Sequence, residues 1–372
     1  MKKLGLFLDA AAVEKSQRDL QSYQIKNNNS LQLRAFLLNE SGMFTKDGKK
    51  LPGSVTKEDI DDTSKRVIGR GASGAVYFAK LKNGTPVALK HIPISSKPHR
   101  DEIDRELSFF SSQSNSPFVM KNLGAFWDSE EAAIVIPMEW MAYTLQDLSY
   151  FWEGIEETIL RDIFFQVVSG LVYLHDTKRV IHRDIKPSNL LIRGDGYVKI
   201  GDFGVSKLVQ TLDVSSTYVG TMYFMAPERL EQGAYSFGSD VWSLGLTMIS
   251  TVTGKNPWAP PEEMNLFNVL GRIAGDTTPT LPERPAYSEN ARDFVKKCLV
   301  RDPQERPFSA DLLKHPFFEG CTEEKAVANV KLGVEYMTRL IHNDAEKNEC
   351  LRRSQADVTK EVNAKLDKLG DL

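Results

Sequence analysis

The sequence predicts an α+β fold of two lobes, in which a small strand-rich N-terminal lobe precedes a larger helical C-terminal lobe and a cleft lies between them. Short β-type runs, with turn residues such as Asn83 and Gly84 between them, occupy residues 62–120 and give way to a helical stretch. Helical periodicity dominates residues 145–318, with a β-like interruption near 189–200. A strand-rich part followed by a helix-rich part is the pattern that predicts the two lobes.

The composition is that of a globular protein without a global charge bias. Of the 372 residues, 41% are hydrophobic and 26% are charged, and the formal net charge is −3. Because this charge creates no long-range field for nucleic acid, we expect no nucleic-acid partner and only local anion sites. No run approaches the roughly 18 apolar residues of a membrane span, so we expect no membrane insertion. Three scattered cysteines, Cys298, Cys321 and Cys350, lack metal-ligand spacing, which predicts a reduced, cytoplasmic protein.

The two ends of the chain are predicted to lie outside the central domain. Residues 1–61 are polar and interrupted, which predicts a tail with limited structure, and the apolar run at residues 4–8 is too short for a secretory signal. Residues 319–372 are charged and helix-prone, so we expect a helical C-terminal extension. We expect one apolar face of this extension to pack on the large lobe rather than to bind a partner: Val327, Val330, Val334 and Met337.

A glycine pattern opens the strand-rich region. Gly69, Gly71 and Gly74 form G-x-G-x-x-G, and glycine lets backbone N–H groups approach a phosphate without a Cβ in the way. The same pattern opens dinucleotide-binding folds, but a helix follows it there, whereas a strand, AVYFAKL, is predicted here. On this motif alone, a phosphate-binding hairpin and a merely glycine-rich hairpin both remain open.

Lys90 lies in the predicted strand PVALKHI, where alternation puts Ala88 and Lys90 on one face. A lysine on an inward face needs a partner, whereas on an edge strand it serves solubility. Glu106 follows in a helical pattern, beside an apolar face that includes Ile103 and Leu107. We expect Lys90 and Glu106 to pair, which leaves the lysine able to hold nucleotide phosphates.

A third motif places two acids and an amide together. Pro187 breaks any helix, so Asp184, Lys186 and Asn189 are predicted on a loop that leads into the strand NLLI. The turn RGDG then leads into a second strand, YVKI, which delivers Asp202 to the same end of this hairpin. Such a set suits a catalytic base and oxygen ligands for Mg²⁺. Unrelated turn aspartates would explain any one of these residues but not the ordered set.

The chain resembles the protein kinases over residues 62–318, which we take as the kinase domain. The resemblance implies the bilobal protein-kinase fold, with ATP in the cleft between the lobes. It also implies that Glu228 pairs with Arg306. The motifs that carry the resemblance follow the family's order and spacing: Gly69, Gly71 and Gly74, then Lys90, Glu106, His182-Arg183-Asp184, Asn189, Asp202-Phe203-Gly204 and Ala226-Pro227-Glu228.

The resemblance further implies roles in phosphoryl transfer from ATP. Asp184 accepts the proton of the attacking hydroxyl, and Lys186 is the Ser/Thr-type residue of the catalytic loop. Asp202 and Asn189 hold Mg²⁺. The nucleotide is bound by the glycine loop, by Lys90, by a gatekeeper and hinge, and by two strand residues: Gly69, Gly71, Gly74, Lys90, Met138, Glu139, Met141, Val76 and Ala88.

Within the kinases, the stretches HRDIKPSN, VGTMYFMAPERL and IPMEWMAYTL resemble the MAP kinase kinases, in particular plant-type and protist members. In the plant type, two hydroxyls at S/T-x5-S/T spacing are phosphorylated by an upstream kinase kinase kinase, and Thr211 and Thr217 fit that spacing. Asp213 stands where the animal spacing needs a hydroxyl, so either Thr211 is the second site or Asp213 supplies a permanent charge. Arg183 is the cation that a phosphate on this segment would find. The alternative is a loop in which these hydroxyls are merely solvated.

MAP kinase kinases commonly carry an N-terminal docking peptide of basic residues followed by spaced apolar residues, and Lys2, Lys3, Leu4 and Leu6 fit it, although so short a pattern also arises by chance. The resemblance therefore predicts a dual-specificity kinase whose substrate is a MAP kinase. Two alternatives remain: a Ser/Thr kinase of another tier, and a kinase-fold scaffold without catalysis.

Overall fold

The structure is a computed structural model that describes residues 25–26, 30–51, 53–71, 74–93, 103, 107, 116–151, 155–202, 222–230, 236–258, 266–275, 277–283 and 286–343. The chain divides into two compact units, one formed by Met1–Ser114 with Lys121–Trp140 and the other by Asn115–Met120 with Met141–Leu372. The described residues of the first unit lie mainly in strands, and those of the second mainly in helices. The α+β prediction, with strands first and helices after, is confirmed.

The main sheet of the N-terminal unit has five antiparallel strands in the order β5-β6-β7-β9-β8. The strands are β5 (Ile60–Gly71), β6 (Gly74–Leu81), β7 (Pro86–Pro93), β8 (Phe126–Asp128) and β9 (Ala133–Glu139). Val87 and Leu89 lie in a hydrophobic cluster with Phe126 and Val135, which places Ala88 and Lys90 on the opposite face of β7. The expected alternation along this strand is confirmed.

A second sheet lies within the region that we expected to be a tail with limited structure. Its four antiparallel strands are β1 (Ile25–Lys26), β2 (Ser30–Gln32), β3 (Phe36–Asn39) and β4 (Gly42–Thr45). Leu31, Leu33, Leu38 and Met43 are buried in it, and β3 and β4 contact β8 of the main sheet. The structure thus differs from the expectation because apolar residues that are sparse along the sequence find their burial against another sheet.

Lys57 joins this N-terminal sheet to the main sheet. Its Nζ lies 3.3 Å from a carboxylate oxygen of Glu40, 3.1 Å from one of Asp128 and 3.1 Å from one of Glu130. Burial acts to lower the pKa of Lys57, but the three carboxylates outweigh it and raise the pKa above its ordinary value. Burial likewise acts to raise the pKa of Asp128, whereas bonds from the backbone N–H of Glu131 and from Lys57 lower it overall.

We expect Lys57→Met to lower the free energy of unfolding by about 1–3 kcal/mol, because the buried Asp128 carboxylate would lose a charged donor. Asp128 has its pKa lowered in the folded state, so its contribution is present above the ordinary value of 3.8 and is lost as pH falls through the lowered pKa. Urea denaturation at pH 7 and near pH 3 measures both effects, and the deficit of the variant should shrink in acid. Lys82→Met, at an exposed lysine, is the control. An unchanged midpoint for Lys57→Met at pH 7 would rule out this role.

The C-terminal unit combines a small antiparallel sheet with helices. The sheet, ordered β10-β11-β12, consists of β10 (Tyr143–Thr144), β11 (Leu190–Ile192) and β12 (Val198–Ile200). The α-helices are α1 (Leu145–Phe151), α2 (Glu157–Val172), α3 (Pro227–Leu230), α4 (Phe237–Thr253), α5 (Leu266–Ala274), α6 (Glu289–Cys298), α7 (Ser309–Leu312) and α8 (Glu323–Asn343). A π-helical turn, Tyr173–Thr177, continues α2, and 3-10 turns lie at Lys57–Asp59 in the first unit and at Pro187–Asn189 and Pro316–Phe318 here. Within the described part of the chain, no helix is both long and apolar enough to cross a bilayer.

Helix α4 is the apolar centre of this unit. Its sequence FGSDVWSLGLTMISTVT is buried on almost every side, and it packs against α1 and α6. Helix α8 lies in the C-terminal extension that we expected to be helical. Val330, Val334 and Met337 are buried as its apolar spacing predicted, whereas Val327 is only half-buried. Its main neighbour is α2.

Candidate active site

The glycine pattern lies on the hairpin formed by β5 and β6. Gly69 is paired with Val76, and Gly71 with Gly74, so a strand follows the glycines as predicted. Gly74 has φ +139°, and a Cβ there would overlap the carbonyl oxygen of His91 on β7. Glycine is therefore required at this position by both the backbone conformation and the close approach of the next strand.

Lys90 is a residue of a central strand, because β7 is hydrogen-bonded to β6 on one side and to β9 on the other. It pairs with Val76 and with Ile136, and it is only 9% exposed. The alternative of a solubility lysine on an edge strand is therefore wrong. Ala88, two residues earlier, pairs with Phe78 and with Met138.

The expected gatekeeper and hinge lie at the end of β9. Met138 is buried, and its backbone forms an isolated antiparallel β-bridge with Asn122. The backbone N–H of Glu139 donates to the carbonyl oxygen of Lys121 at 3.1 Å, and the Glu139 carboxylate accepts from the Lys121 N–H at 2.7 Å. Met141, also buried, belongs to the other unit.

The loop before β11 brings three polar side chains into direct contact. Lys186 Nζ lies 2.9 Å from Asp184 Oδ2. Asn189 Nδ2 donates to the same Oδ2 at 2.9 Å and to the Asp184 carbonyl oxygen at 2.7 Å. The Asp184 carboxylate is thereby held in one orientation by an ammonium and an amide, while about a fifth of its side chain stays exposed.

The β11–β12 hairpin places Asp202 at the same end as Asn189. Leu190 pairs with Ile200, and the Gly201 N–H donates to the Asn189 carbonyl oxygen at 2.9 Å. His182 connects this end to the loop, since its Nε2 donates to the Gly201 carbonyl oxygen at 3.0 Å and its Nδ1 accepts from the Asp184 N–H at 3.3 Å. Asp202 itself has φ +51°, an uncommon conformation for a residue other than glycine. The expectation that this hairpin brings Asp202 and the Asp184 loop together is supported.

Asp240 anchors this loop through hydrogen bonds to its backbone, a role that the sequence analysis did not assign. It is fully buried in α4, where Oδ1 accepts from the Arg183 N–H at 2.7 Å and Oδ2 accepts from the His182 N–H at 2.7 Å. The His175 Nε2 lies 2.9 Å from Oδ2. These bonds hold Arg183 at φ +71°. The available signal was the one charged residue of an otherwise uncharged, largely buried helix, because a buried carboxylate needs several donors.

Glu228 and Arg306 form a bidentate ion pair, with Nη1–Oε1 at 3.0 Å and Nη2–Oε2 at 3.2 Å. The Arg306 side chain is fully buried, and it also donates to the carbonyl oxygens of Gly238, Val300 and Arg301. This is the pairing that the family resemblance implied. It joins the short helix α3 to the segment before α7.

A family model described as "Protein kinase domain" matches residues 63–318, which is more than half of the chain. The chain belongs to the protein kinase family. It is therefore an enzyme that transfers a phosphoryl group from ATP to protein, and its strand-rich and helical units are the two lobes of the bilobal kinase fold.

The similar proteins described next are all named mitogen-activated protein kinase kinases. The chain is 38% identical over 277 residues to "Mitogen-activated protein kinase kinase 2" of Arabidopsis thaliana, an alignment that covers 72% of this chain and 75% of the relative. It is 36% identical over 268 residues to "Mitogen-activated protein kinase kinase 1c" of Physcomitrium patens, with 70% and 77% covered. It is 34% identical over 282 residues to "Mitogen-activated protein kinase kinase 5" of Leishmania mexicana, with 74% and 53% covered.

The polar residues of this kinase fit a divalent cation, which the family uses together with ATP. Asn189 Nδ2 donates both of its hydrogen bonds to Asp184. The amide oxygen of Asn189 is not used in them and can serve as a ligand for the cation. The Asp202 carboxylate is exposed at the neighbouring strand end. Oxygen atoms are the ligands that hard divalent cations take. In the described part of the kinase, no three His, Cys, Asp or Glu side chains group around a metal position.

Several expected sites of this kinase lie outside the described residues. They are the proposed partner of Lys90, the two activation-segment threonines and the docking peptide: Glu106, Thr211, Thr217, Lys2, Lys3, Leu4 and Leu6. The helix pattern around Glu106 is represented by Ile103 and Leu107, which are both helical and buried as expected.

Proposed function

We propose that this protein kinase is a dual-specificity MAP kinase kinase, which phosphorylates the threonine and the tyrosine of a MAP kinase activation loop. One observation carries the proposal: curated relatives from plants, yeast and a protist, 34–39% identical over 68–74% of this chain, are all named as MAP kinase kinases. The chain retains the residues that phosphoryl transfer needs, in the order that the kinase family has them.

Each residue of the site has a proposed part in the reaction. Asp184 accepts the proton of the substrate hydroxyl, and the Lys186 and Asn189 bonds described above keep its carboxylate oriented for that hydroxyl. Lys90, paired with Glu106, and the glycine hairpin bind the phosphates of ATP. Mg²⁺, held by Asp202 and Asn189, would neutralise phosphate charge.

The adenosine part of ATP is assigned to the N-terminal lobe and the hinge. Val76 and Ala88 contribute apolar contacts from β6 and β7. Met138 is the proposed gatekeeper, and the backbone of Glu139 and Met141 is proposed to bind adenine. Because the Glu139 N–H already donates to Lys121, we expect adenine to use other backbone atoms of this segment.

The scaffold alternative is disfavoured by Lys90, Asp184 and Asp202, since non-catalytic members of this fold usually lack one of the equivalent residues. A Ser/Thr kinase of another tier is disfavoured by the docking pattern and by the spacing of Thr211 and Thr217. A Ser/Thr kinase would leave tyrosine unmodified, so a phosphorylation assay separates it from a dual-specificity MAP kinase kinase.

We propose that an upstream kinase kinase kinase activates the enzyme by phosphorylating Thr217 and Thr211. A phosphate adds about −1.5 to −2 charge and accepts charge-assisted hydrogen bonds, and Arg183 is the proposed donor. Asp213 either supplements these phosphates or replaces one of them.

Thr217→Ala is expected to reduce activation by the upstream kinase much more than Ser216→Ala, because only Thr217 has the family's spacing to the VGT motif. The two variants are at adjacent positions and each removes a hydroxyl group, so Ser216→Ala is the control, although Thr217→Ala also removes a methyl group. The measurement is activity before and after incubation with a MAP kinase kinase kinase and Mg-ATP. Equal losses in the two variants would remove the assignment of Thr217.

We further propose that residues 2–8 dock the MAP kinase through Lys2, Lys3, Leu4 and Leu6, and that the protein works in the cytoplasm. The cytoplasmic assignment rests on the three scattered cysteines, Cys298, Cys321 and Cys350, whose odd number and spacing suit a reducing compartment. A synthetic peptide of residues 1–10 should compete with the enzyme for its MAP kinase substrate, and the same peptide with Lys2 and Lys3 replaced by Glu should not.

The experiment that tests the function is a transfer assay with Mg-ATP on a panel of catalytically inactive MAP kinases beside a generic basic protein. Mass spectrometry then locates the phosphates. Modification of both Thr and Tyr in one MAP kinase activation loop is the expected result. Phosphate on Ser and Thr of other substrates alone would assign another tier, and no transfer by enzyme phosphorylated at Thr211 and Thr217 would favour the scaffold.

A further inference from the structure

Helix α8, in the C-terminal extension, is fixed to α2 by a buried polar contact as well as by its apolar face. Asn329 Nδ2 donates to Asp162 Oδ2 at 2.7 Å, and the Cys321 Sγ donates to Asp162 Oδ1 at 3.3 Å. Asp162 is only 1% exposed, so its carboxylate depends on donors that the protein supplies. The Asn329–Asp162 hydrogen bond therefore fixes the position of α8 along its own axis, in addition to its distance from α2.

The same helix touches the turn of the β11–β12 hairpin. Gly196 in this turn has φ +99°, and a Cβ there would overlap the carbonyl oxygen of Val327 and come within 2.8 Å of the Lys331 backbone nitrogen. Gln166, fully buried on α2, holds the other side of the turn, because its Nε2 donates to the Gly196 carbonyl oxygen at 3.2 Å and its Oε1 accepts from the Val198 N–H at 2.9 Å. The turn is thus clamped between two helices.

A third contact reaches the other edge of the same sheet. The hydroxyl groups of Tyr143 on β10 and Thr338 on α8 lie 2.9 Å apart. Tyr143 pairs with Ile192 at the end of β11, so α8 contacts both the first strand of the sheet and the turn between the other two. Near its N-terminus, Glu323 accepts from the Tyr197 hydroxyl at 3.5 Å.

We propose that α8 braces the β10–β12 sheet and that Gly196, Tyr143 and Thr338 are positioning residues for Asn189 and Asp202. These two polar residues stand at the end of the hairpin opposite the clamped turn, and the strands between them are only three residues long. Because close-packed strands move as a unit, a displacement of the turn would also displace Asn189 and Asp202 at the other end of so short a hairpin. This inference concerns how the site is held, and it goes beyond the proposed MAP kinase kinase activity.

The test compares Gly196→Ala with Gly194→Ala in the same turn, since a Cβ at Gly194 would meet nothing within 4 Å. We expect Gly196→Ala to speed amide hydrogen exchange of residues 190–200 in the nucleotide-free protein and to lower kcat, each by about five-fold or more, with the KM for ATP little changed. Gly194→Ala should match wild type in both measurements.

Thr338→Val and Tyr143→Phe separate the brace from strain within the turn itself, because neither variant alters Gly196. Each should accelerate exchange of the same strands, and the double variant should add little to either single variant, as expected for two groups that share one hydrogen bond. Glu335→Gln, on the exposed face of α8, is the control. If only Gly196→Ala has an effect, the strain of the turn explains it and the proposal is wrong. Because hydrogen exchange needs no substrate, this outcome is independent of the MAP kinase assignment.

Discussion

Replacing Asp202 by alanine is expected to reduce phosphoryl transfer by about 10³-fold or more while the protein remains folded. The proposed role of this carboxylate is to hold the metal ion that neutralises phosphate charge, and alanine offers no oxygen. Folding should survive because the Asp202 side chain is exposed and its removal leaves no cavity. The φ of +51° makes alanine slightly less favourable than aspartate at this position, a cost of about 1 kcal/mol.

Lys90→Met is the companion variant on the other lobe. Methionine keeps most of the volume of the buried lysine stem but removes the ammonium group, so activity should fall to a similar degree with little loss of stability. The measurements are the transfer rate at saturating Mg-ATP and the thermal unfolding midpoint. Asp311→Ala, at an exposed aspartate on α7, controls for the loss of a surface carboxylate. Near-full activity in either Asp202→Ala or Lys90→Met would contradict the proposed mechanism.

Asp240→Ala is expected to lower the free energy of unfolding by about 3–5 kcal/mol and to abolish activity as well. Its carboxylate is fully buried and accepts from the backbone N–H groups of His182 and Arg183, while His175 contacts it with a ring nitrogen. Alanine would leave these buried donors without an acceptor. The loop that carries Asp184 would also lose the contact that holds Arg183 at its positive φ.

Urea denaturation and the transfer rate, measured on the same preparations, test this anchoring role. Asp240→Asn should be intermediate, because one oxygen is kept and the other is replaced by an amide group that cannot accept. Asp176→Asn, at an exposed position beside His175, should change stability by less than about 0.5 kcal/mol. Wild-type stability in Asp240→Ala would show that the buried donors find other acceptors and that the loop does not depend on α4.

Local patterns predicted the strands around the site because each is encoded by neighbouring residues. AVYFAKL and PVALKHI correspond to β6 and β7, and NLLI and YVKI to β11 and β12, each within a residue or two. The turn between the last pair follows from RGDG, which contains two glycines. Where period-two patterns and turn residues agree, the register of a hairpin leaves little freedom, and the position of Asp202 next to Asn189 follows from it.

Patterns of this kind failed where the stabilising partners are distant in sequence. The sheet at residues 30–45 buries its few apolar side chains against β8, more than 80 residues later, so its own stretch suggests only a polar tail. Lys57 shows the same limit, because its carboxylate partners Asp128 and Glu130 are about 70 residues away. Such pairings depend on the closure of long loops, which no local propensity records.

The sequence by itself determined that a strand-rich part precedes a helix-rich part and to which family the chain belongs, and it supplied the proposed set of chemically active residues. Those properties rest on residue identity and spacing, which the chain carries before it folds. Only the tertiary structure decided that Lys90 lies on a central strand, that Asp240 anchors the catalytic loop and that α8 reaches the β11–β12 turn. These are relations between segments far apart in the chain, fixed by the close packing of side chains and by the need of each buried polar group for a partner.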